Sequence, residues 1–62
     1  MFNYVIFKVD NKYYLYSVQN NIIIEWGYNF NKLFKEYIEF VQYQINNYGI
    51  NIKLFSLYIK KF

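Results

Sequence analysis

Cysteine, histidine, arginine, proline, threonine and alanine do not occur in this 62-residue chain. Each absence closes a chemical route. Without cysteine there is no disulfide and no thiolate; a structural zinc site, which draws on Cys or His in almost every case, is closed as well. Aromatic packing or oligomerisation is left to stabilise a domain whose core supplies about 3–5 kcal/mol. The commonest general base and the strongest nucleophile are missing together. The hydroxyls of Ser17 and Ser56 have no base beside them in sequence. Glycine is nearly absent too, with Gly27 and Gly49 only, so no phosphate-cradling loop can be built. No Pro-, Gly- or Ser-rich linker divides residues 1–62, which read as one small domain. These gaps point to a protein that is not an enzyme and holds no cofactor and no metal.

Acidic residues are few. Asp10, Glu25, Glu36 and Glu39 face seven lysines, for a net charge of +3. That balance is mild, and a strong nucleic-acid binder carries a denser basic face. No run approaches the roughly 18 apolar residues of a membrane span. The segment Met1–Lys8 has neither a basic leader region nor a small-residue cleavage site. The expectation is a soluble, cytoplasmic protein that makes no use of a membrane; a chain free of cysteine is compatible with that compartment.

What is present is equally biased. Asn, Lys, Ile, Tyr, Phe and Met supply 42 of the 62 residues, the alphabet of AT-rich codons. It suits a small AT-rich replicon: a phage, a plasmid, an endosymbiont or an organelle. Hydrophobic residues make 56% of the chain, above the usual 45–50% or so, and aromatics alone make 27%.

The β-branched and aromatic segments 2–9 and 12–18 predict two strands, joined at Asp10-Asn11 by a two-residue type I′ turn. Ile22 to Trp26 predicts a third, entered through Asn20-Asn21. After Gly27 the period changes. Phe30, Leu33, Phe34, Tyr37, Ile38, Val41, Ile45 and Tyr48 recur at spacings of three and four, the mark of an amphipathic helix of about 18 residues. Asn29 or Asn31 suits its N-cap, and Gly49 its C-terminal stop. Residues 50–59 predict a last strand. The expected fold is α+β: a three-stranded antiparallel meander, one amphipathic helix packed on one face, and a C-terminal strand (β-β-β-α-β).

Glu36 and Glu39 are the one carboxylate pair close in sequence, but each lies four residues from Lys32 or Lys35, as a solvated charged helix face does. Nine tyrosines offer rings for stacking, although Tyr is also how an AT-rich gene writes a large half-buried residue. Trp26-Gly27 closing a strand ahead of a helix, with Tyr48-Gly49 at the helix end, slightly resembles the WGR domain across residues 12 to 52. The resemblance implies nucleic-acid contact near Trp26-Gly27. Tyr28 stands where that family has Arg, and the glycines usual after the motif are missing.

Carrying the register through both turns puts Val5, Phe7, Val9, Tyr14, Tyr16, Val18, Ile23 and Glu25 on one sheet face. Tyr4, Ile6, Lys8, Tyr13, Leu15, Ser17, Ile22, Ile24 and Trp26 take the other. A sheet with one wet face alternates apolar and polar, whereas both faces here are apolar or aromatic and one helix is available as cover. The more aliphatic set, with Trp26, is assigned to the helix. The face with Phe7, Tyr14 and Tyr16, flanked by Lys12 and Glu25, becomes the candidate binding surface. The functional expectation is a non-catalytic small binding protein of a phage or other AT-rich mobile element that occupies a protein partner, for example as an inhibitor of a host defence complex. The alternatives are a small nucleic-acid-binding module using tyrosine stacking and lysines, or a non-catalytic subunit of a larger assembly. A homodimer is a further partner the surplus face admits.

Overall fold

The β-rich segments form strands where the composition places them. Tyr4–Val9 is β1, Lys12–Ser17 is β2 and Ile22–Gly27 is β3. They belong to a computed structural model that describes residues 3–60. Phe2, expected to open the first strand, and the terminal Lys61-Phe62 lie outside the described residues. β1 and β2 pair antiparallel from Tyr4 opposite Ser17 to Val9 opposite Lys12, the expected register, so Asp10-Asn11 is a two-residue turn. Among the described non-glycine residues only Asp10 (φ 56°) and Asn21 (φ 55°) have positive φ. Positive φ at the first central residue alone is the sign pattern of a II′ turn, not of the expected I′. The second connection is longer than Asn20-Asn21: Ser17 pairs Ile22 across a four-residue loop. There the Ser17 hydroxyl accepts from the Asn20 N–H at 3.3 Å.

The helix α1 runs Phe30–Tyr48, 19 residues. Asn29 is its N-cap, its side-chain oxygen accepting from the Lys32 N–H at 3.2 Å. Gly49 ends it at φ 64°, its N–H bonded to the Ile45 carbonyl. Leu33, Tyr37 and Val41 are buried against Ile6 and Leu15 of the two central strands, and these five make the core. Phe30 and Ile45 pack around them as expected. Phe40, which the spacing did not select, meets Tyr4 edge-on at 5.8 Å. Phe34 and Ile38 are more than a third exposed, and Tyr48 is exposed, so the stripe is narrower than the sequence suggests.

The segment after the helix departs most from expectation. Residues 52–54 form a 3-10 turn, and only Leu57–Ile59 is a strand, β4. β4 pairs parallel with β1, giving a mixed four-stranded sheet of order β3-β2-β1-β4. Ser56 fastens this return: its carbonyl accepts from the Tyr4 N–H at 2.9 Å, and its hydroxyl bonds both the Asn3 N–H and the Asn3 side chain. Phe55 stacks on Tyr4 at 6.1 Å and meets Phe40 edge-on, so the crossover stays on the helix side.

Candidate functional site

One residue sets what the sheet presents. In β3, Ile23 lies opposite Tyr16 while Glu25 lies opposite Leu15, so Ile24 is an extra residue, a β-bulge. A bulge moves every following side chain to the other face. Ile22 and Ile24 stay on the helix side as expected, and Ile24 packs against the core. Beyond them the expectation is corrected. Glu25, assigned to the binding face, shares the helix side with Leu15; Trp26, assigned to the helix side, lies opposite Tyr14 on the uncovered face.

That face therefore carries Val5, Phe7 and Val9 of β1, Lys12, Tyr14 and Tyr16 of β2, Ile23 and Trp26 of β3, and Tyr58 of β4, which lies beside Val5. Of the five residues singled out from sequence, the structure gathers Phe7, Lys12, Tyr14 and Tyr16 and removes Glu25. The Phe7 and Tyr14 rings stack at 5.3 Å with 19° between their planes, and Tyr16 meets Phe7 edge-on at 6.5 Å. The Tyr16 hydroxyl donates to the Asn21 side chain, which fixes the ring against the second loop. The Lys12 ammonium sits 5.0 Å from the centre of the Trp26 ring, a cation–π contact. Tyr28 abuts the same indole edge-on at 5.6 Å. Trp26 is 49% exposed. The sequence pattern places Trp26 in the Trp26-Gly27 pair and on the helix side; its place on this face follows from a bulge that three consecutive isoleucines conceal.

The displaced Glu25 forms a second feature. With Trp26, Lys32, Leu33 and Glu36 it lines an open cleft of about 220 Å³ at the sheet edge. Glu25 takes the Trp26 N–H on its Oε1 at 3.1 Å. The Glu36 carboxyl is pushed above its ordinary value by desolvation, then by a hydrogen bond to Glu25 and repulsion from it, with Lys32 pulling the other way. Glu25 thus acts on Glu36 more strongly than Glu39 does. The cluster lies at a wet rim with neither a nucleophile nor a base placed beside it. On the core side, burial raises the phenol pKa of Tyr4 and of Tyr37, the latter also through Tyr4; their rings meet at 5.5 Å. Both hydroxyls stay protonated as packing groups.

Among the described residues no three potential ligands of the His, Cys, Asp or Glu type gather where a metal ion could sit. No helix there is long and apolar enough to cross a membrane. No family model, characterised protein or solved structure matches the chain, so the likeness to the WGR domain stands on Trp26-Gly27 and Tyr48-Gly49 alone.

Proposed function

We propose that this protein is a non-catalytic binding module that acts in the cytoplasm by occupying a macromolecular partner with the open face of its sheet. The observation that carries the reading is the pairing of a single helix with a four-stranded sheet whose second face is lined by Phe7, Tyr14, Tyr16 and the half-exposed Trp26. Exposed apolar patches of this kind mark interaction sites, and rings that bury area while keeping a polar tip suit them. Occupancy needs no catalytic group, in keeping with the missing His, Cys and Arg. A phage or other mobile element is the setting the AT-rich alphabet favours, and an inhibitor that blocks a host defence complex is the form occupancy takes there. The departure of Glu25 removes the one strand-borne carboxylate from the face and favours an anionic partner over a basic one.

The test compares two surfaces. Immobilised protein is exposed to extract of the organism that encodes it, beside a Tyr14→Ser/Trp26→Ser variant and a Glu39→Gln variant, each checked for native circular dichroism. The reading expects a retained partner that the first variant loses and the second keeps. Equal retention by all three would place binding elsewhere.

A further inference from the structure

The register aligns the open-face aromatics in a single row. Phe7 lies directly opposite Tyr14, and Tyr14 directly opposite Trp26, so three rings cross β1, β2 and β3 at neighbouring positions. Strands are spaced about 4.8 Å apart, so the row is about 10 Å long. Each end carries a lysine. Lys12 lies against Trp26 at 5.0 Å. At the other end the Lys60 N–H bonds the Ile6 carbonyl at 2.9 Å, extending the ladder one step past Ile59, which pairs with Ile6. Strand alternation then places Lys60 beside Phe7, on the open face. The acids lie elsewhere: Glu25 is on the helix side of the sheet, Glu36 and Glu39 are on α1, and Asp10 is in the hairpin turn.

We propose that this row is a binding platform for single-stranded RNA, taking one base on the outer face of the Phe7–Tyr14 stack, one on the Trp26 ring, and the flanking phosphates on Lys12 and Lys60. The inference rests on the open face being the binding surface and names its occupant. Aromatic rings on neighbouring strands of an open sheet are a recurrent support for splayed bases, and stacking on them is sequence-tolerant because every base has a π-face. Two lysines with no carboxylate between them complement a phosphate backbone. Tyr14 and Trp26 each carry a polar group, a hydroxyl and an indole N–H, and in the proposed complex these are assigned to a 2′-hydroxyl, which is both donor and acceptor.

Fluorescence anisotropy of the full chain with a labelled ten-nucleotide oligouridylate tests it, with oligothymidylate and an RNA duplex of equal length as the other probes. Saturable binding is expected to the single-stranded RNA, weaker to the other two. Two phosphate contacts on a single strand predict a slope of log affinity against log salt near about −1.4. Lys12→Gln should reduce that slope by about half, and Lys35→Gln on the helix should leave it unchanged. Trp26→Leu should weaken binding about fivefold or more. Absence of saturable binding at low salt, equal effects of Lys12→Gln and Lys35→Gln, or DNA bound as tightly as RNA would each overturn the proposal. If RNA fails while Tyr14→Ser/Trp26→Ser still abolishes capture of a partner from nuclease-treated extract, the RNA assignment falls and the binding face stands. If neither responds, both fall. Native circular dichroism and unchanged melting of Lys12→Gln, whose side chain is outside the core, keep the slope comparison independent of folding.

Discussion

Ile24 matters more to the surface chemistry of this protein than any charged residue. As the extra residue of a bulge it sends Trp26 to the open face and Glu25 to the helix side, at the rim of the sheet. The sequence does not reveal this, because Ile22-Ile23-Ile24 has no apolar–polar contrast from which register could be read. Phe7, Tyr14 and Tyr16 were legible because the Asp10-Asn11 turn fixes β1 against β2. Two residue-level predictions follow from local geometry. Gly49 sits at φ 64° and an added Cβ would meet nothing within 4 Å. Gly49→Ala should therefore cost about 1–2 kcal/mol from the left-handed backbone alone, measured by urea unfolding, and Gly49→Asn should cost less. Glu36 has a raised carboxyl pKa. The folded state thus holds that proton more tightly, so its contribution is present below the unfolded-state pKa and is lost as pH rises through the folded-state pKa. Glu36→Gln should raise the melting temperature at pH 7, leave it nearly unchanged at pH 3, and flatten the pH profile between. A variant that melts lower at pH 7 would mean that the attraction to Lys32 outweighs the repulsion from Glu25.

At the scale of elements, the helix was the most legible part because period, N-cap and C-cap agree. Asn29, Gly49 and the buried Leu33, Tyr37 and Val41 all lie where the pattern puts them. Its length explains the outliers. Nineteen residues span about 28 Å, whereas six-residue strands span about 20 Å. The last turn overhangs the sheet, leaving Tyr48 exposed and in contact with Tyr43 at 5.9 Å. Leu33→Ala or Val41→Ala should cost about 2–4 kcal/mol by lost transfer energy and cavity, while Ile38→Ala, at 39% exposure, should cost about 1 kcal/mol or less. Equal losses at Ile38 and Val41 in denaturant melts would contradict this helix orientation. Asn29→Ala removes the cap and should cost about 0.5–2 kcal/mol. Residues 50–59 read as one strand in sequence because Ile50, Ile52 and Leu54 alternate with polar neighbours. Asn51 overrides that pattern: its side chain accepts from the Lys53 N–H at 2.9 Å and starts the 3-10 turn, the local competition typical of Asn. Parallel pairing with β1 depends on the crossover path and on Ser56, and neither leaves a periodic trace.

For the whole molecule, five buried apolar side chains among the described residues and a sequence without cysteine leave little stability in reserve, so the uncovered face should be shielded whenever a partner is lacking. A second copy is the available shield. Two routes to association compete, through the face or through the sheet edges. The edges are poorly suited. β4 has three residues, and β3 is bent by the Ile24 bulge, with the Trp26 N–H taken by the Glu25 carboxylate. Short strands, bulges and edge charges are the usual ways of blunting edge pairing. The face has the larger capacity. Four strands and six residues cover a patch of about 19 by 20 Å, and upright rings enlarge its accessible area toward the roughly 800 Å² per partner of a standard interface. Sedimentation velocity of the free protein should therefore show an s-value that rises with concentration. Tyr14→Ser/Trp26→Ser should abolish that rise, and Glu25→Ala, which frees the edge N–H of Trp26, should leave it unchanged. If Glu25→Ala strengthens association while the double variant retains it, the edge is the route. A parent that stays monomeric at all concentrations would mean that the aromatic row, with Lys12 over the indole and Phe7 stacked on Tyr14, is already stable in water without a cover.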